Sequence, residues 1–148
     1  MAKINLTIST PERVVLQDEV DQLTVPTQMG EITILPDHRP LLVNLAPGVM
    51  LAKTNGDEIE MAISGGFLEL HSNKLTVLAD TAERAEEIDL ERAEEARRRA
   101  EKLRQERARS VDEFQYAEAA SILEKQVARV KLARKYRTKR GFKLGDDE

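Results

Sequence analysis

The chain has no cysteine and no tryptophan, and aromatic residues fill only 3% of its 148 positions. The missing thiols exclude disulfides, thiolate zinc sites and cysteine nucleophiles, and they fit a reducing cytoplasm. With so few rings, a large aromatic-lined pocket is not expected, and the 41% of hydrophobic residues is largely aliphatic. Only two histidines occur, His38 and His71, fewer imidazoles than a cupin-like metal centre requires. No run approaches the roughly 18 to 20 apolar residues of a membrane span. The opening Met-Ala-Lys-Ile-Asn-Leu-Thr-Ile-Ser also lacks an apolar core of signal-peptide length. Any membrane association is therefore expected to be peripheral. Glycine and proline are missing from all positions between Gly66 and Gly141, which leaves that stretch free to form long helices.

Charge is abundant, at 34% of residues, and the net value of −4 hides its placement. Up to residue 85 acids outnumber bases roughly two to one, and Arg92 to Glu118 mixes both signs densely. From Lys125 to Lys143 the charge is almost purely basic, before a short acidic end at Asp146, Asp147 and Glu148.

From Lys3 to about Ala79 apolar residues alternate with polar ones between turn residues, the pattern of half-buried strands. Ile4, Leu6 and Ile8 share one face; Val14 and Leu16, Leu23 and Val25, and Ile32 and Ile34 begin further strands, the one at Leu23 stopping at Pro26. More follow at 41–45, 49–53, 59–63, 67–70 and 75–78, separated by Ala46-Pro47-Gly48, Asn55-Gly56-Asp57, Gly65-Gly66 and Ser72-Asn73. Asn55-Gly56 is the strongest hairpin signal, because a type I′ turn needs positive φ at both central residues. Short strands at close spacing with no helix between them predict an antiparallel sandwich or flattened barrel.

Beyond Thr81 the composition becomes helical. Leu90, Ala93, Ala96, Ala100 and Leu103 recur at three- and four-residue steps, a narrow stripe made mostly of alanine. Ser110 or Asp112 offers an N-cap for a second helix, with Tyr116, Ala119, Ala120, Leu123, Val127 and Val130 on one side and an end near Tyr136. Gly141 and Gly145 suggest fraying beyond that point. Two amphipathic helices with a short connection predict an antiparallel hairpin. Alanine buries little area, so the hairpin is expected to be weakly held and open to selection by a partner. The fold class expected is α+β: residues 1–86 as the sandwich and 87–148 as the helical hairpin.

No nucleophile elbow, Walker motif or His-Glu-x-x-His is present, so nothing favours an enzyme. His38 reads as a turn residue whose ring satisfies backbone groups around Leu35-Pro36-Asp37. Gly65-Gly66 could cradle an anion, but a connection requiring positive φ explains it better. The basic run fits phosphates, an acidic protein surface, or a solvated helix end whose cations favour the dipole.

Four stretches then converge. Gly30-Glu31-Ile32-Thr33-Ile34-Leu35-Pro36-Asp37-His38-Arg39-Pro40-Leu41-Leu42, Ser64-Gly65-Gly66-Phe67-Leu68-Glu69, Leu78-Ala79-Asp80-Thr81-Ala82-Glu83-Arg84 and Ile88-Asp89-Leu90-Glu91-Arg92-Ala93 resemble, in order, segments of the epsilon subunit of the bacterial F-type, proton-driven rotary ATP synthase. The resemblance implies a sandwich of about ten strands and a helical hairpin. It further implies a non-catalytic role on the central rotor, with the sandwich on the gamma subunit and against the c-subunit ring, at the cytoplasmic side of the cell membrane. Such a subunit couples proton flow to rotation and restrains ATP hydrolysis. When the helices extend, their basic residues face acidic segments of the beta subunits. Arg129, Lys131, Arg134 and Lys135 are the candidate inhibitory contacts.

No cofactor is required on this reading, but some members of the family bind regulatory ATP at the folded hairpin. Ile88, Asp89, Arg92 and Ala93 match their Ile-Asp-x-x-Arg-Ala motif, and Glu83 and Arg99 match in type and spacing. Asp89 or Glu83 would accept from adenine or ribose, and Arg92 and Arg99 would pair with phosphates. The second helix departs from the pattern, offering Gln115, Tyr116 and Gln126 where ATP-binding members present arginine. The plainer reading has Asp89 as an N-cap, with Arg92 and Arg99 paired to Glu91 or Glu95. The rival functions are a free-standing adapter and a nucleic-acid-binding module built on the basic run.

Overall fold

The structure, a computed structural model, describes residues 2–109 and 112–145, with 140–145 as backbone only. Ten strands precede two helices: β1 (Ile4–Ser9), β2 (Val14–Val20), β3 (Gln22–Thr27), β4 (Gly30–Ile34), β5 (Leu41–Leu45), β6 (Gly48–Thr54), β7 (Asp57–Ile63), β8 (Gly66–His71), β9 (Lys74–Ala79) and β10 (Ala82–Arg84), then α1 (Leu90–Arg107) and α2 (Glu113–Gly145). The strands follow the order β10-β7-β6-β3-β5-β8-β9-β1-β2, with β4 paired to β3. All pairings are antiparallel except β1 with β9.

The sheet folds over at β3. This strand pairs with β4 from Leu23 to Thr27; its other edge meets β6 at Gln22–Thr24 and β5 at Thr27. One continuous sheet thereby closes around an aliphatic core of Ile4, Leu6, Ile8, Leu23, Val25, Ile34, Met50, Met61, Ile63, Leu68, Leu70, Leu75 and Val77. The period-2 alternation is what puts these side chains on the inner face.

The turns follow their chemistry. Asn55 and Gly56 have φ of 51° and 86°, as a type I′ turn requires, and Ser72 and Asn73 do the same at 50° and 61° without a glycine. Asp37, at φ 63°, and Asn73 tie two turns together: the Asp37 N–H donates to Asn73 Oδ1 at 2.7 Å, and Asn73 Nδ2 donates to Asp37 Oδ1 at 2.9 Å. His38 is exposed; its backbone N–H donates to Leu35 O and its Nδ1 lies 2.8 Å from Arg39 O. The Gly65-Gly66 pair, at φ 124° and 122°, makes the connection into β8.

Two expectations need correction, and the expected count of about ten strands is completed by an element that the alternation did not mark. β3 does not stop at Pro26 but passes through it to Thr27. Proline has no N–H to give a ladder, but its carbonyl accepts from Ala46 N at 3.0 Å. The tenth strand, β10, adds to the edge of β7 through Ala82–Ile63, Glu83–Ala62 and Arg84–Met61, and three residues are too few to show alternation. α2 continues beyond Tyr136 through Gly141 to Gly145. An isolated glycine costs a helix about 1 kcal/mol, which is not enough to end one of 33 residues.

Asp89 caps α1, its Oδ1 accepting from Arg92 N at 3.2 Å. Asp112 caps α2, its Oδ1 accepting from the N–H groups of Phe114 and Gln115 at 3.0 and 3.3 Å. The other candidate cap, Ser110, lies outside the described residues.

Candidate functional site

The two helices run antiparallel, Arg107 meeting Glu118 near the connection and Glu94 meeting Arg134 near the far end. α2 lies against both α1 and the outer surface of β6 and β7. Among the described residues, five of the buried helical side chains are alanines, Ala93, Ala100, Ala119, Ala128 and Ala133, accompanied by Val130 and Leu132. At about 0.8 kcal/mol for each buried methyl-sized group, this seam is far weaker than the sandwich core. Ala96 is only half-buried. The single stripe expected on α2 is also not what forms: Tyr116 and Val127 remain 42% and 43% exposed, while Ala128, Leu132 and Ala133 are buried. Two burying surfaces meet this helix, so its apolar residues do not follow one narrow line.

Around the seam, cations of α2 reach carboxylates of the preceding elements. Arg129 Nε donates to Glu83 Oε2 of β10 at 2.7 Å and Arg129 Nη1 to Gln126 Oε1 at 2.7 Å. Their side chains are only 21% and 30% exposed for Arg129 and Glu83. Lys135 Nζ donates to Glu60 Oε1 of β7 at 2.5 Å, and Arg134 holds Glu94 of α1 with Nη2 at 2.5 Å and Nε at 3.0 Å. Lys131 is exposed and stands at a cleft of about 430 Å³ between α2 and the sheet, lined by Pro26, Gly48, Val49, Leu123 and Val127. Three of the four candidate inhibitory cations are thus bound within the chain.

The candidate nucleotide residues do not converge in the same way. Ile88 and Ala93 are buried against Val130, Leu132 and Ala133. Glu83 is taken by Arg129, and Asp89 caps α1 with its other oxygen 3.9 Å from Arg92 Nε. Arg92 and Arg99 face solvent, Arg99 3.6 Å from Glu95 one helical turn away. In this conformation the arrangement offers two cations for phosphates, while both candidate acceptors for adenine or ribose are already engaged. Gln126 is engaged with Arg129, whereas Gln115 and Tyr116 lie exposed on the first turn of α2.

The hydrogen bond from Arg134 holds the Glu94 carboxyl below its ordinary value of 4.5, with the nearby positive charges adding to it against desolvation. A carboxyl lowered by folding contributes stability that is complete above its unfolded value and lost as pH falls through its folded value. The α1–α2 contact is therefore expected to loosen below about pH 4.5. Amide exchange in α1 followed from pH 6 downward checks this, with Glu94→Gln expected to remove that component of the pH dependence. The Asp21 carboxyl, lowered by its hydrogen bond from Lys3, adds a separate acid-sensitive contact within the sandwich.

A second surface lies on other strands. Leu42, Phe67 and Leu78 are 71%, 43% and 41% exposed. Phe67 stands directly opposite Leu78 in the β8–β9 ladder, and Leu42, opposite Glu69, is its diagonal neighbour on β5. Sequence patterning missed this outer patch because alternation identifies the buried face and says nothing of apolar residues on the other. At the β3–β4 tip, Met29 is fully exposed.

Comparison with known proteins agrees with this architecture. Residues 3–85 match the family model described as the ATP synthase, Delta/Epsilon chain, beta-sandwich domain. The ATP synthase epsilon chain of Herpetosiphon aurantiacus is 46% identical over 131 residues, covering 88% of this chain and 94% of that one. The ATP synthase epsilon chain of Moorella thermoacetica is 46% identical over 134 residues, covering 90% and 98%. Among solved structures, a chain of the Euglena gracilis mitochondrial ATP synthase OSCP/F1/c-ring assembly superposes with a TM-score of 0.71 at 28% identity, over 84% of this chain and 77% of that one. A chain of the Tetrahymena thermophila mitochondrial ATP synthase central stalk/c-ring structure gives 0.56 at 18% identity, a likeness of fold. The matched sandwich, the near-complete coverage of the bacterial relatives and the two-helix end together place this chain in the family of bacterial ATP synthase epsilon chains.

Proposed function

We propose that the chain is a non-catalytic subunit of the ATP synthase rotor, binding the gamma subunit and the c-subunit ring through its sandwich and restraining ATP hydrolysis through its helices. The observation that carries the reading is the separation of two surfaces on one small fold. The apolar patch of Leu42, Phe67 and Leu78 lies on β5, β8 and β9, away from the strands that α2 covers. A permanent partner explains such exposure: three large apolar side chains gathered on one sheet face are costly in water and favourable in an interface core. The helices, held by alanine and a few ion pairs, are the movable part. Lifted away, Arg129, Lys131, Arg134 and Lys135 would present a cationic face to acidic segments of the beta subunits.

No helix among the described residues is long and apolar enough to cross a membrane. On this reading, attachment at the cytoplasmic side of the membrane is made through the rotor partners, and coupling of proton flow to synthesis follows from the sandwich turning with gamma. Changing Phe67 and Leu42 together to aspartate is expected to weaken capture on gamma on the order of 100-fold, as loss of a central apolar anchor does, with the isolated subunit still folded. Undiminished capture would direct attention to another face. Copurification with gamma also separates this function from a free-standing adapter.

Solvent-facing Arg92 and Arg99, two turns apart on α1, support a further reading in which ATP is a regulatory ligand of the folded hairpin. Calorimetric titration of the isolated subunit is expected to give heat with ATP that disappears in Arg92→Ala/Arg99→Ala. Absence of heat at millimolar nucleotide removes ATP from the account.

A further inference from the structure

We infer that Glu60 and Glu83 form an internal acidic dock that occupies α2 cations in the folded state and so competes with an acidic protein surface for them. The inference rests on the reading of α2 as an inhibitory element and gives its release a specific electrostatic control.

The charge asymmetry of the sequence acquires a meaning in three dimensions. The acid-rich part of the chain is the sandwich, and the basic run is α2. Glu60 lies on β7 and Glu83 on β10, adjacent strands joined by the Glu83–Ala62 and Arg84–Met61 pairs. β10 is the edge strand beside β7, and α2 lies against β7 and its other neighbour, β6. The Glu60 and Glu83 carboxylates hold Lys135 at 2.5 Å and Arg129 at 2.7 Å, spanning the α2 segment that buries Val130, Leu132 and Ala133. A further cleft, where Glu58, Glu60 and Glu86 outnumber Arg84 on the side opposite Tyr136 and Lys139, carries the acidic surface past Lys135.

The ion pairs divide into two kinds by what they join. Glu83–Arg129 and Glu60–Lys135 link α2 to the sandwich and must break when the hairpin lifts. Glu94–Arg134 links α2 to α1 and can travel with a hairpin that moves as one piece. Glu83 and Arg129 are the more shielded pair, so salt screens them less than it screens exposed charges. The apolar contact of α2 with the sheet is small, Val130, Leu132 and Ala133 meeting Val49, Ala62, Ala85 and Ile88, so these pairs add a measurable share to what distinguishes the docked state from the detached one. A carboxylate-rich partner provides the same chemical group that the dock provides, so moving between them exchanges one set of ion pairs for another and leaves no buried cation unpaired.

The test uses the whole subunit. The native chain has no cysteine, so Glu69→Cys on β8 and Glu106→Cys on α1, both exposed, accept a pair of spin labels specifically. Electron-electron distance measurements then report how much hairpin is docked. Glu60→Gln/Glu83→Gln is expected to raise the detached fraction on the order of five- to tenfold at low salt. The parent chain is expected to approach that fraction as salt rises, while Glu94→Gln stays near the parent. Arg129→Gln/Lys135→Gln serves as the reciprocal variant should the sheet substitutions disturb the sandwich, and it is expected to match them. A distance distribution unchanged in both double variants, and insensitive to salt, overturns the dock. Detachment without any change in ATP hydrolysis by the assembled complex supports the dock and removes the inhibitory reading on which its purpose rests.

Discussion

Removing residues 88–148 is expected to leave a folded sandwich and to raise ATP hydrolysis by the assembled complex about fivefold or more, the lower range of a typical regulatory coupling. The stability half of that result follows from the cores. The principal cluster, Ile4 through Ala82, is made entirely of sandwich side chains, and α2 packs on a separate cluster through Val49, Ala62, Ala85 and Ile88. Truncation exposes the second cluster without opening the first. The functional half follows from the proposal that the exposed Leu42, Phe67 and Leu78 patch, on strands that α2 does not cover, is what binds gamma. Thermal unfolding of residues 1–87 and hydrolysis by complexes carrying them check the two halves separately. A truncated subunit retained in the complex with hydrolysis unchanged would defeat the inhibitory role and leave the rotor role standing.

Gly66→Ala is expected to cost about 3 kcal/mol or more, the upper range for strain at a special backbone position combined with overpacking. Its φ of +122° suits glycine, and a Cβ there would lie 2.0 Å from Leu78 O and 2.8 Å from Ala79 Cα. Both atoms are backbone of β9, directly paired with β8 through Gly66–Ala79, and neither can turn aside. Gly30 makes the instructive comparison. It has φ of +111° but nothing within 4 Å of its would-be Cβ, so Gly30→Ala is expected to cost about 1 kcal/mol. Urea unfolding midpoints rank the two; equal losses would show that the β8–β9 approach is not the constraint. Because β8 and β9 carry Phe67 and Leu78, Gly66→Ala is expected to weaken gamma binding as well.

The sheet was largely legible because strands such as β1, β3, β8 and β9 alternate cleanly, β7 burying Met61, Ala62 and Ile63 in a row only where α2 covers it, and because major turns bear their own chemistry: Asn55-Gly56 at a type I′ turn, Pro36-Asp37 at a bend. Where a tertiary neighbour decides the outcome, local pattern was insufficient. β10 exists because β7 has an edge to extend, and β3 runs through Pro26 because β4 pairs with Val25, Pro26 and Thr27 and β5 with Thr27. α2 illustrates the same limit twice. Its burial is set by α1 and the sheet together, so Tyr116 and Val127 fall outside while Leu132 falls inside. The basic residues of α2 were visible as a charge run, but their intramolecular partners, Glu60 and Glu83, are 75 and 46 positions away in sequence. Spacing within one helix cannot reveal such pairs. The capping role of Asp89 and the Arg99–Glu95 pair, by contrast, are local and were readable.

Immobilising the hairpin tests most directly whether its movement is the brake. Glu60→Cys and Lys135→Cys, bridged by a bismaleimide about as long as the side chains they replace, would fasten α2 to β7 in a chain with no competing thiol. ATP hydrolysis by the complex is then measured before and after bridging, beside ATP synthesis as the check on coupling. The expected result is faster hydrolysis in the bridged complex, approaching that of the truncated one, with synthesis retained. Hydrolysis as restrained after bridging as before would contradict it, because the helices would then inhibit without leaving the sheet.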